Sequence, residues 1–106
     1  MRPEIVIDNR IADKNDVFRK LGFGVTMTCG AAELPDIIGL MSKIRAYDDF
    51  TEASDPYFEH DFGKIEWHGH KVFWKIDYYN DQLTCFEDPL SPTCKRIMTV
   101  MLAEEY

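Results

Sequence analysis

The sequence predicts an α+β fold: a mainly antiparallel sheet of about four strands, with two helices packed on one of its faces. Three observations predict it. Apolar and polar residues alternate with period two through 62–79. Ile37, Leu40, Met41, Ile44 and Tyr47 recur at helical spacing. The run 96–102, Arg-Ile-Met-Thr-Val-Met-Leu, is short, apolar on both sides and rich in strand formers. A chain of 106 residues is read as one domain, 1–106, with residues 1–9 as an extended arm.

The elements follow in order. Residues 11–21 read as a helix with Ile11, Phe18 and Leu21 near one face. Asp8 or Asn9 caps it and Gly22 ends it. Val25 to Thr28 alternates between glycines at 24 and 30 and reads as a strand. Pro35 suits the first position of the second helix, where a missing N–H costs nothing. Asp48 and Asp49 stand where that helix dipole ends negative, so the helix stops there. Residues 51–57 are a polar connection with a turn signal at Asp55-Pro56.

The hairpin at 57–79 holds all three histidines and both tryptophans. A two-residue turn at His68-Gly69 sets Trp67 opposite His70, Ile65 opposite Val72, Gly63 opposite Trp74 and Asp61 opposite Ile76. One face then carries Ile65, Trp67, Val72, Trp74, Ile76 and Tyr78. The other places Glu66 opposite Lys71. A slip of one residue would mix charges into the apolar set. Ser91-Pro92 resembles a helix start, but the composition of 96–102 favours a buried strand.

The net charge is −7, which argues against nucleic acid as a direct ligand. It suits a solvated surface, or an acidic decoy for a basic partner. The three cysteines, Cys29, Cys85 and Cys94, make neither a CxxC pair nor an even framework. With no signal-like or membrane-length apolar run, the expectation is a cytoplasmic protein without membrane contact.

His60, Asp61, His68 and His70 form the one metal set worth weighing. The hairpin register puts His60 at the far end from the other two histidines, so neither metal nor other cofactor is expected. The same register sets His60 opposite Asp77, with Glu59 and Asp61 beside it. A carboxylate partner orients an imidazole and raises its basicity, so His60, Asp61 and Asp77 are the candidate catalytic group. The serines lie in no activating motif, and Gly22, Gly24 and Gly30 make no phosphate-binding fingerprint.

Three blocks resemble those of a known bacterial family. They are Glu59-His60-Asp61-Phe62-Gly63, Val72-Phe73-Trp74-Lys75-Ile76-Asp77-Tyr78-Tyr79 and Met101-Leu102-Ala103-Glu104-Glu105-Tyr106. They are similar to the signature blocks of domain-of-unknown-function family 3768, over about Ile11 to Tyr106. The resemblance implies a small protein, often carried on plasmids and other mobile elements, with no established activity.

Two functions are expected from this reading. The first is an acidic protein-binding module, in its concrete form an inhibitor of a host defence nuclease of anti-restriction or anti-CRISPR type. Asp48, Asp49, Glu52, Asp55 and Glu59 would form its binding patch, with an aromatic anchor. The alternative is a small hydrolase using His60 with Asp61 and Asp77. A homodimer through a free sheet edge is a third arrangement.

Overall fold

The computed structural model of the chain describes residues 8–21 and 23–106. Residues 1–7 of the expected arm 1–9, and the helix stop at Gly22, lie outside the described residues. Helix α1 spans Arg10–Leu21, strand β1 Val25–Met27, helix α2 Cys29–Ala32 and helix α3 Ile37–Arg45. Strands β2 (Phe62–Trp67), β3 (His70–Tyr79) and β4 (Lys95–Leu102) follow, and a 3-10 turn covers Ala103–Glu105.

The fold is α+β, with a four-stranded sheet in the order β1-β4-β3-β2. β2, β3 and β4 run antiparallel, as the alternation predicts. β1 instead pairs parallel with β4, Val25 meeting Met98 and Met27 meeting Val100, so the sheet is mixed. The 62–79 hairpin has the predicted register, including Gly63 opposite Trp74 and Glu66 opposite Lys71. Its turn puts His68 at φ 49° and Gly69 at φ 82°, the left-handed pair that a two-residue hairpin requires.

One face of the sheet builds the core. Val72, Trp74, Ile76, Tyr78, Met98 and Val100 point into it and meet Leu40, Met41 and Ile44 of α3. Gly63 lies against the Trp74 indole, and a Cβ there would collide with it. α1 seats on the same core only partly as its apolar pattern predicts. Ala12, Asn15 and Arg19 are its buried residues, while Leu21 is exposed. Ile11 and Phe18 pack partly buried against the core as read, and two polar groups are buried beside them because each finds partners inside, as described below.

Local chemistry explains two other departures. Pro35 lies outside α3; Asp36, at φ 52°, is the N-cap and its carboxylate accepts the Gly39 N–H at 3.1 Å. The short α2 replaces the expected strand end, because the Thr28 hydroxyl accepts from the Ala31 N–H at 3.3 Å. Glu105 closes that corner. Its carboxylate accepts from the Thr28 hydroxyl at 2.6 Å, the Leu102 N–H at 2.9 Å and the Gly30 N–H at 3.2 Å. These bonds hold it below the usual carboxylate range.

The β2 edge is occupied by side chains. The Lys64 N–H donates to the Tyr47 hydroxyl at 3.3 Å, and Lys43 Nζ donates to the Glu66 carbonyl at 3.4 Å. Such blocking keeps an edge from pairing with another chain.

Candidate functional site

The segment between α3 and β2, residues 46–61, folds over the end of α1 and carries the polar chemistry. It departs from strand geometry before β2 begins. Phe58 and His60 both have left-handed backbones, at φ 55° and 54°. Each costs about 1–2 kcal/mol in a non-glycine residue. The Asp55 carboxylate holds the bend, accepting the Glu59 N–H at 3.0 Å and the His60 N–H at 3.2 Å. The Asp55 carbonyl accepts the Phe58 N–H at 3.1 Å.

This bend turns the His60 ring towards α1. Nδ1 lies 3.0 Å from Asp16 Oδ1, and Nε2 lies 3.7 Å from Asp55 Oδ2. The ring stacks flat on Phe50, with centroids 3.9 Å apart. Asp16 also pairs with the buried Arg19 guanidinium at 3.0 Å. Arg19 donates to the Tyr47 carbonyl at 3.0 Å and lies over the Phe50 and Trp74 rings, 5.4 and 5.1 Å from their centroids. A cleft of ≈ 490 Å³ opens beside this group, lined by Asp16, Arg19, Lys20, Asp48, Phe50 and His60 among others.

A second network runs beneath the first. Arg96 Nε donates to Asn15 Oδ1 at 2.6 Å. Asn15 Nδ2 donates to the Tyr78 hydroxyl at 2.8 Å and to the Glu59 carbonyl at 2.9 Å. The Tyr78 hydroxyl donates onward to Glu59 Oε2 at 3.1 Å. Burial, and then the neighbouring Glu59, push the Asp61 carboxyl up to about 6. Burial likewise raises the Tyr78 hydroxyl.

The expected groups are only partly brought together. Asp61 meets Ile76 as the register requires, its carbonyl accepting the Ile76 N–H at 2.8 Å. Asp77 does not partner the His60 ring. It stands on the opposite face of the sheet from the core and pairs with Lys75 at 3.1 Å. The left-handed turn at His60 is the reason, because it takes the ring off the strand alternation. His68 and His70 are exposed at the hairpin turn. Among the described residues no group of three or more His, Cys, Asp or Glu is placed to hold a metal ion.

The acidic set divides as well. Asp48, Asp49 and Glu52 are exposed, whereas Asp55 is only 5% exposed and serves the backbone of 59–60. Glu59 is half-buried against Tyr78. Asp16, Asn15 and Arg19 were missed in the sequence because they sit on α1, more than forty residues away. Their signal was a helix whose apolar positions, Ile11, Phe18 and Leu21, make a weak stripe.

No helix of the described residues is long and apolar enough to cross a membrane. Neither a curated protein nor a solved structure matches the chain. A family model does match, over residues 25–105, which takes in every strand and leaves α1 outside. The chain belongs to the family described as protein of unknown function (DUF3768).

Proposed function

We propose that the chain is a protein-binding module that presents the 46–61 segment to a basic, nucleic-acid-handling protein. The observation that carries this reading is Tyr57, which stands 81% exposed on a bend that Asp55 clamps from inside. A backbone bend fixed before binding loses little entropy on docking, and the aromatic ring it carries makes an efficient anchor. Asp48, Asp49 and Glu52 stand exposed on the same segment, in a chain of net charge −7. Such charges raise the encounter rate with a basic surface. The mobile-element association that the resemblance implies makes a host defence nuclease the concrete partner, with the acidic segment occupying its nucleic-acid channel.

The test places a photo-crosslinking residue at Tyr57 of the full chain in host cells, then measures binding of the recovered protein. Tyr57→Ala is expected to speed dissociation about 30-fold, the effect of an anchor worth ~2 kcal/mol. Reversing Asp48, Asp49 and Glu52 to lysine is expected to slow association and remove its salt dependence. Binding that ignores both changes sinks the proposal.

The hydrolase reading keeps one supporting observation, the Asp16–His60 pair beside an open cleft. It is the weaker one, because Nδ1 is engaged, Nε2 is turned to Asp55 and Phe50 covers one ring face. Ester hydrolysis abolished by His60→Ala in a chain that stays folded would reverse this ranking.

A further inference from the structure

α1 buries one side through Ala12, Asn15 and Arg19 and turns a second apolar stripe outward. Val17 is 59% exposed and Leu21 62%, with Phe23 beyond them at 73%. Val17 and Leu21 border an open groove of ≈ 540 Å³ that also takes in Phe18, Cys94 and Arg96. Single exposed apolar residues are ordinary, but Val17 and Leu21 stand one turn apart on the helix with Phe23 just past its end, and apolar residues grouped in this way mark a docking surface.

The charges around this stripe choose its occupant. At about 100° per residue, Val17 lies at the centre of the exposed side, opposite Ala12, Asn15 and Arg19. Asp13 and Lys20 flank it on one side, about 6 Å before it and about 4.5 Å after it along the axis, at about 1.5 Å per residue. Both are exposed, and neither has an ion-pair partner among the described residues. Within one chain they are about 10.5 Å apart along the helix, too far to pair.

A twofold axis through Val17, perpendicular to the helix, brings two copies of α1 face to face and antiparallel. It keeps each flank on its own side and reverses the axial order. Asp13 of one copy then meets Lys20 of the other, twice per interface. Leu21 of one copy comes against the aliphatic stem of Lys14 of the other. The stripe is complementary to itself, which an isologous interface requires.

We infer that this face of α1 docks a second copy of the chain, forming a twofold dimer centred on Val17. The stripe shares no residue with the 46–61 segment, and only Lys20 on its flank reaches the cleft that holds Asp48. The stripe is also distinct from the β2 edge, whose Lys64 N–H and Glu66 carbonyl are already taken. A patch this small gives a weak dimer, with Kd in roughly the micromolar range.

Sedimentation of the full-length chain from 1 to 200 µM tests this, with circular dichroism confirming that each variant is folded. The wild type is expected to dimerise and Val17→Glu to weaken the dimer at least 30-fold. Asp13→Lys and Lys20→Asp alone are each expected to weaken it about 5- to 10-fold. Combined in one chain, they exchange the charges across the axis and restore affinity to within about twofold. A wild type that stays monomeric overturns the inference and leaves the stripe to another segment of the chain or to a different protein. A dimer indifferent to Val17→Glu places the contact elsewhere and also overturns it. So does a double variant that fails to recover.

Discussion

Replacing Asp61 by asparagine should stabilise this protein at neutral pH. The Asp61 carboxyl stands beside Glu59 in a half-buried corner, and burial together with that neighbour moves it from 3.8 to about 6. At pH 7.5 the folded chain therefore holds an ionised carboxylate where a neutral group is preferred. The displacement is about two pH units, and at ~1.4 kcal/mol per unit its ceiling is ~3 kcal/mol. Water reaches part of the group, so screening reduces the effect to about 1–1.5 kcal/mol. For a chain of this size, that is roughly 4–10 °C in Tm. The asparagine amide also donates to Glu59 without needing a proton.

The sign follows from linkage. The folded carboxyl takes up its proton at higher pH than the unfolded one. The wild type is thus penalised above about pH 6, and the penalty fades as pH falls towards 4. Urea unfolding of both proteins, followed by tryptophan fluorescence at pH 7.5 and pH 4, separates this contribution from every group they share. Asp61→Asn is expected to be the more stable at pH 7.5, with most of its advantage gone at pH 4. An advantage equal at both pH values, or none at pH 7.5, refutes the reasoning.

Two further substitutions probe the interior. Gly63→Ala drives a methyl group into the Trp74 indole and should cost about 1–3 kcal/mol, read as a lower urea midpoint with an unchanged slope. Asn15→Ala leaves Arg96 Nε and the Glu59 carbonyl without their partner inside the protein. It should cost about 2–4 kcal/mol in the same assay.

The sheet was legible in the sequence because its signal is local. Ile65, Trp67, Val72 and Trp74 alternate with charged neighbours, and Gly69 fits a two-residue turn, so the register of β2 and β3 could be read from adjacent residues. The strand at Lys95–Leu102 was legible from its β-branched, two-sided apolar composition. The parallel β1 was legible as a strand but not in its direction, because nothing within Val25–Met27 encodes which neighbour it joins.

The polar corner was half legible. His60 and Asp61 stood out by residue type. The partner of His60 did not, because extrapolating strand alternation through a left-handed residue points the ring at Asp77 and not at Asp16. Asn15 and Arg19 lie off the apolar stripe of Ile11, Phe18 and Leu21 and carry no local signal of burial. Only the chain folding over α1 supplies the carbonyls and rings that make burying them tolerable.

The pairing of Val25 with Met98 sets an order of events during folding. β2 and β3 are joined by two residues and can zip on the microsecond scale of a hairpin, with β4 closing a longer loop onto β3. β1 cannot be placed until β4 is there to receive it, and it joins ends separated by most of the chain, which makes its contacts the slowest to form. Contacts absent from the rate-limiting barrier act on the rate of unfolding and hardly on the rate of folding. The Glu105 carboxylate ties Thr28 and Gly30 beside β1 to the end of β4, so it is expected to act as a latch on lifetime, its removal speeding unfolding and leaving the folding rate nearly unchanged.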